Sequence, residues 1–403
     1  MINENAFFPD RTWVNIDVDA LTHNVENVRR WTVPSAKLMA VVKADAYGHG
    51  APFCASWFLE HGADCLGVSN VDEARQLREA GIAAPILILG YTDPRNAPYI
   101  VGADLTATVY SVAAAQALHE EAVRQEKKVK VHIKLDTGMG RIGYTEDSDY
   151  LEQIPQILRM SGLEAEGIFS HFATSDEENG YADMQYEKFM EMLECLRQSG
   201  IEFPVRHMSN SGAVLRDPKY HLDMVRAGIV LYGLVPGALP AGLPEDFCRP
   251  AMTLKSTLVM TKHVEAGDSV GYGRAFTAQR SSLIGTIPIG YADGYSRRLS
   301  NRAWVMVGGR RSPVVGNICM DQCMIDLTDL RDAPSVGEQV VLFGRQNTQQ
   351  RQAGEPCFGE IATGELAEWM GTIHYEVTCV VGKRVTRIYE KDGKMIHMFN
   401  TIW

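Results

Sequence analysis

Between residue 38 and about residue 230, short apolar runs rich in β-branched residues alternate with stretches of helical period. The runs are LMAVVK (38–43), CLGVS (65–69), ILIL (86–89), LTATVY (105–110), VKVHIKL (129–135), EAEGIFS (164–170), VRHMS (205–209) and MVRAGIV (224–230). Helical pattern fills most of the gaps. VDEARQLREAG (71–81) ends on glycine, SVAAAQALHEEAVRQEK (111–127) opens on a serine N-cap, and YADMQYEKFMEMLECLRQSG (181–200) closes on glycine. Strand–helix alternation repeated eight times predicts a (β/α)8 barrel of the TIM type. A doubly wound sheet would carry a glycine-rich phosphate turn after its first strand, and KADAYGHG (43–50) is not GxGxxG.

The pattern changes at GLVPGALPAGLPEDFCRP (233–250), whose Gly and Pro content reads as a linker. Strand-like segments follow at close spacing: TLKSTLVMTKHV, SLIGTIPIGY, AWVMV, SPVVGNI, QCMIDL, QVVLFG and CVVGKRVTRIY. One helical piece, GEIATGELAEWMG (359–371), interrupts them. The expected organisation is a barrel over residues 12–240 and a mostly-β domain over 241–403, with residues 1–11 packing on the latter.

Composition narrows the function classes. A chain of 403 residues exceeds the size at which one core stops growing, so two domains are expected. The net charge of -11 argues against non-specific nucleic-acid binding, so an anionic ligand must be held by local cations or backbone N–H groups. The eight cysteines show no CxxC spacing, so free thiols are expected and no metal site. The start, MINENAFFPDRTW, lacks the basic and apolar regions of a signal peptide, and no apolar run is long enough to span a membrane. A cytoplasmic location is expected.

In a barrel of this kind the site is built at the C-terminal ends of the strands. Those ends carry Lys43, Lys134 with Asp136, His171, His207 with Asn210 and Ser211, and Arg226. Each alone reads as a structural residue satisfied by its neighbours; their convergence on one rim is what needs a chemical reason. A partly desolvated lysine gives up its proton more readily. A free amine beside a phosphate cradle suits a Schiff base to pyridoxal phosphate. Candidates for the cradle are Tyr47, the SNSG turn (209–212) and the backbone around Gly228.

AVVKADAYGHG (40–50) resembles the cofactor-attachment motif of the alanine racemases. KLDTGMGRIGY (134–144), FSHFATSDE (169–177), MSNSGA (208–213), MVRAGIVLYG (224–233), VGYGRAF (270–276), IPIGYADGY (287–295), GNICMDQCMIDLT (316–328) and YEVTC (375–379) resemble that family in the same order. The resemblance implies a barrel followed by a β domain and a pyridoxal 5'-phosphate enzyme interconverting L- and D-alanine. It also implies a cytoplasmic homodimer with shared active sites that makes D-alanine for the cell wall. Lys43 would carry the cofactor and act as one base, and Tyr272 of the other subunit would be the opposite base. Arg226 would face the pyridine nitrogen, with His171 connecting it to Tyr272. Tyr47, Asn210, Ser211, Gly228, Ile229 and Tyr375 would hold the cofactor, mostly at its phosphate. Arg141 and the Met320 backbone would meet the substrate carboxylate, and Lys134 matches a position often carbamylated. The chain departs from the family at Asn317, where many relatives carry arginine, which puts the charge of the access channel in question. Whether Tyr291 and Tyr295 pack or line that channel stays open, and His49 reads as a structural residue at the helix start. Three other functions compete: a racemase for serine or for several amino acids, a basic amino-acid decarboxylase, and a non-catalytic cofactor carrier. The decarboxylase would put a carboxylate on the ring nitrogen, and the carrier would not need Tyr272.

Overall fold

The computed structural model describes residues 11–237, 240–346 and 359–400. They fall into two compact units, one of residues 20–249 and the other of residues up to 19 together with those from 250 onward. The first strand, β1 (Thr12–Asp17), belongs to the second unit. The barrel strands follow as β2 (Lys37–Val41), β3 (Cys65–Val68), β4 (Ile86–Ile88), β5 (Thr106–Val109), β6 (Val129–Lys134), β7 (Leu163–Phe169), β8 (Val205–His207) and β9 (Met224–Ala227).

Among the described residues, β2 to β9 form a closed parallel barrel in chain order. Closure is made by β2 against β9, with Lys37 opposite Met224 and Ala40 opposite Ala227. Parallel strands covered on both faces read as unbroken apolar runs, and all eight runs in the sequence are strands here. The helices fall where the period placed them. Val71–Glu79 is capped by Asn70, whose side chain accepts from Glu73 N, and Val112–Arg124 is capped by Ser111, which accepts from Ala114 N. Tyr181–Gln198 is the long helix.

The domain limits need correction at both ends of the barrel. Thr12–Asp17 is not a barrel strand; it lies antiparallel to Met252–Thr257 and parallel to Thr386–Lys391. Thr12 to Ile16 are all buried, as a central strand of a covered sheet requires, and the barrel already closes without it. The segment 241–249 stays with the barrel unit: Asn24 Nδ2 donates to Arg249 O at 2.9 Å, and Arg249 N donates to Asn24 Oδ1 at 2.7 Å. Residues 1–10, expected to pack on the β domain, lie outside the described residues.

The second unit is mostly β. Its described residues form an 11-stranded sheet in which Met260–Val264, Ser282–Ile287, Cys323–Asp326, Arg310–Val315, Trp304–Val307, Gln339–Gln346, Met252–Thr257, β1, Thr386–Lys391 and Lys394–Phe399 lie in that order. The piece read as one helix over 359–371 is split. Gly359–Ile361 pairs with Gln339–Gln346 as a strand, and the helix starts only at Thr363, where Ala362 N donates to Glu365 Oε1 at 3.1 Å. A further helix, His374–Cys379, follows it.

Candidate active site

Lys43 follows β2 and opens a turn of unusual hand. Ala44, Asp45, Ala46 and Tyr47 have φ of 53°, 53°, 54° and 52°, a left-handed helical turn without a glycine. Each such residue costs about 1–2 kcal/mol, so local sequence preference does not make this turn. Tertiary contacts do. Glu73, in the first turn of the helix after β3, accepts from Ser69 N at 2.7 Å and from Ala44 N at 2.8 Å. Asp45 Oδ1 accepts from Ala51 N at 2.8 Å, and Gly48 N closes the turn on Ala44 O. His49 is buried, with Nδ1 at 3.1 Å from the carbonyls of Ala46 and Tyr47, so it braces the turn.

The left-handed turn carries Tyr47 to the end of β9. A Cβ on Gly228 would lie 2.5 Å from the Tyr47 hydroxyl, so only glycine lets the two meet. Ser211 Oγ accepts from Gly228 N at 2.9 Å, which leaves the hydroxyl hydrogen to donate outward. Ser211 opens the helix Ser211–Arg216, capped by Asn210; Asn210 Oδ1 accepts from Ala213 N at 3.1 Å and from Ser175 Oγ at 2.6 Å. Tyr47, Ser211, Gly228 and the backbone opening Ile229–Tyr232 therefore gather in one place.

Arg226 is buried in β9 and makes its contacts through both terminal nitrogens. NH1 donates to His207 Nδ1 at 2.8 Å, and NH2 donates to His171 Nδ1 at 3.0 Å and to the carbonyls of Ser170 and Met208 at 2.9 and 3.0 Å. Burial, with Arg141 adding to it, pushes its guanidinium down to about 9. A guanidinium has no acceptor, so His171 Nδ1 and His207 Nδ1 must both accept and each ring carries its proton on Nε2. Burial first, then Arg226, holds both imidazoles well below their usual range, so both are neutral near pH 7. Lys43 is near enough to depress His171 as well.

Lys134, at the end of β6, is buried beside Phe169 and donates to Leu135 O at 2.6 Å. Burial, then the positive charge of Arg226, pulls its amine down to about 7 against the opposing pull of Asp136. Asp136 does not pair with it directly. Its carboxylate takes the N–H groups of Gly138, Gly140 and Arg141 at 2.9–3.0 Å and folds the loop that presents Arg141. Burial would raise this carboxyl, and those three N–H groups outweigh it, so Asp136 sits below its usual range.

The barrel rim thus brings together Lys43, Tyr47, Lys134, Arg141, His171, Asn210, Ser211, Arg226, Gly228 and Ile229. Tyr272, Met320 and Tyr375 belong to the β unit. There Tyr272 is 70% exposed, between Gly271 and Gly273 at φ 76° and 70°, with its carbonyl taking Asn317 Nδ2 at 2.7 Å. Asn317 therefore braces the Tyr272 turn. Met320 is 52% exposed, and its carbonyl is fixed by Ala292 N at 3.1 Å. Tyr375 lies in the first turn of His374–Cys379. Tyr295 is buried while Tyr291 is exposed, so of the two only Tyr295 is a packing residue. The seven cysteines among the described residues are free, and no described helix is long and apolar enough to cross a membrane. Two residues escaped the sequence reading. They are His132 and Glu166, inside the barrel, where His132 Nδ1 lies 2.7 Å from His207 Nε2.

The model of the alanine racemase N-terminal domain matches residues 16–236, and that of the C-terminal domain matches residues 251–389. The chain belongs to the alanine racemase family. It is 41% identical to the alanine racemase of Clostridium perfringens over 391 residues, which cover 97% of this chain and 98% of that protein. It is 42% identical to the alanine racemase of Methanococcus maripaludis over 378 residues, 94% of this chain and 98% of that one. The solved alanine racemase of Clostridium difficile 630 superposes with a TM-score of 0.90 at 36% identity, covering 98% of this chain and all of that one. That of Bacillus anthracis, solved with bound L-Ala-P, gives the same TM-score and identity over 98% of this chain and 99% of that one. Alanine racemases are isomerases, and the barrel followed by a mostly-β domain is their fold.

Proposed function

We propose that the protein interconverts L-alanine and D-alanine with pyridoxal 5'-phosphate held on Lys43. The observation that carries this reading is the rim itself, where Lys43, the neutral His171, the buried Arg226 and the Tyr47–Ser211–Gly228 cradle converge. The donors fit the group. The Ser211 hydroxyl, the Tyr47 hydroxyl and the backbone N–H groups opening at Ile229 suit a phosphate dianion, and Arg226 suits a ring nitrogen that accepts. Asn210 and Tyr375 complete the phosphate end.

Bound pyridoxal phosphate supplies an electron sink for the pair left when the alanine Cα–H bond breaks. Lys43 removes or returns the proton on one face. Tyr272 of the partner subunit does so on the other, in a homodimer whose two sites are shared. Because Arg226 fixes the His171 proton on Nε2, His171 can donate to a phenolate oxygen. Arg226 keeps its own proton, so it leaves the ring nitrogen unprotonated and the sink weak. Arg141 and the Met320 N–H hold the substrate carboxylate. The cytoplasm is the expected location, and D-alanine for peptidoglycan the expected use.

Lys134 carries a carbamate in this reading. Its Nζ, whose proton is loosened by burial and by Arg226, bonds as the neutral amine to the carbon of CO2 and releases one proton to solvent. The resulting anion would orient Arg141. A carbamate carbon resonance is expected after equilibration with 13C-bicarbonate and is expected to vanish in Lys134→Ala; its absence from the unsubstituted protein would remove this assignment.

The whole reading is tested on the purified protein. Borohydride reduction should trap the cofactor, and peptide mapping should find it on Lys43. D-Alanine should form from L-alanine faster than other D-amino acids form from their L isomers. Label on another lysine, or a preference for serine, would overturn it.

A further inference from the structure

The barrel interior holds a polar chain that starts at Arg226 and ends at the opposite mouth. His207 Nδ1 accepts from Arg226, so its proton is on Nε2, which faces His132 Nδ1 at 2.7 Å. That nitrogen must accept, so the His132 proton is on Nε2, which lies 3.4 Å from Glu166 Oε2. The other Glu166 oxygen takes Lys130 Nζ at 2.9 Å. From Arg226 to Glu166 each donor thus points from the rim towards the far mouth, from a cation to an anion. Turning over either ring would set two N–H groups face to face or leave two acceptors opposed.

The chain is built into the backbone. The β6–β7 register shifts between Val131 and His132. A Cβ on Gly167 would sit 2.6 Å from His132 Cε1, so the imidazole occupies the space that a side chain would take. His207 is stacked on Phe169, with ring centroids 4.7 Å apart and an interplanar angle of 3°. The far end opens into a cavity of about 270 Å³ whose wall includes Lys37, Asp64, His132 and Glu166. A buried guanidinium needs an anion or several well-placed acceptors. Arg226 touches two carbonyls and two imidazoles, and the nearest carboxylate along this chain is that of Glu166.

We propose that His132 and Glu166 are positioning residues for Arg226, acting through His207: His132 Nδ1 accepts the Nε2–H that Arg226 leaves on His207, and Glu166 accepts from His132, so the two hold the His207 ring against the guanidinium. The inference rests on the proposed function in so far as Arg226 faces the cofactor ring, but the hold on His207 does not. Burial supports it by keeping His132 and His207 neutral.

The test uses the full-length protein, loaded with and stripped of pyridoxal phosphate, with 15N-labelled histidine. In the unsubstituted protein His207 should show one protonated nitrogen, Nε2, in both forms. His132→Phe leaves the His207 Nε2–H without its acceptor and should shift the 15N and 1H signals of that N–H while the proton stays on Nε2, with kcat down about tenfold and KM for alanine little changed. His132→Gln, which can accept through its oxygen and donate through its nitrogen, should restore both. Glu166→Leu, on the partly exposed cavity wall, should disturb the His132 signal and serves if His132→Phe does not fold. A His207 Nε2–H signal unmoved by His132→Phe, or a His132 signal unmoved by Glu166→Leu, would overturn the proposal. If the protein bound no cofactor, the functional reading would fail while the histidine signals still decided this one.

Discussion

Replacing Lys43 with alanine is expected to lower racemisation in both directions by ~10⁴-fold or more, with little change in melting temperature. The two halves of that expectation come from different parts of the structure. The turn that follows Lys43 is held by Glu73, Asp45 and backbone N–H groups, none of which needs the lysine side chain. The strained φ values begin at Ala44, so alanine at 43 adds no strain. The amine, by contrast, has two tasks in the proposed chemistry: holding the cofactor and carrying one of the two protons. Lys43→Arg separates charge from nucleophilicity. A guanidinium stays protonated and does not attack a carbonyl, so arginine should be nearly as inactive as alanine. The measurement is kcat in each direction, with cofactor absorbance after gel filtration. A Lys43→Ala protein within tenfold of the unsubstituted one would remove the lysine from the mechanism.

The barrel was legible because its strands are covered on both faces, and continuous apolar runs such as VKVHIKL have few other fates. The rim was legible for the converse reason. Lys134 and Arg226 are charges inside apolar strands, and a closed barrel places them at one end. The left-handed turn was not legible. Ala44, Ala46 and Tyr47 have no preference for positive φ, and the conformation is imposed by Glu73 from the helix after β3. Nor was β1, whose register depends on Met252–Thr257 and Thr386–Lys391, more than two hundred residues away in the chain. His132 had left a signal. It is two residues before Lys134 in the same strand, so the period of two puts it on the same face as the rim lysine. Glu166 had left less. It could be read as an exposed strand residue until the β7 neighbour Gly167 was seen to make room for the imidazole.

Tyr272→Phe is expected to keep the bound cofactor and lose ~10²–10⁴-fold in rate, since only the hydroxyl on the second face is removed. The backbone that presents the residue depends on Gly271, Gly273 and Asn317, not on the phenol oxygen, so the turn should survive. The sharper question is which chain supplies the hydroxyl, and mixing two dead variants answers it. In a heterodimer of Lys43→Ala with Tyr272→Phe, shared sites give one site with both defects and one with neither. Sites built from a single chain give two defective sites. Random reassociation of equal amounts makes half the dimers mixed, so shared sites should restore about one quarter of the unsubstituted activity. Unshared sites should restore none. Recovery should appear only after the subunits have been allowed to exchange, which ties it to the heterodimer and excludes carry-over from either parent. A mixture that stays as inactive as its components after exchange would place Tyr272 on the same chain as Lys43 or remove it from the reaction. The single variants distinguish these, because a Tyr272 outside the reaction would leave Tyr272→Phe active before any mixing.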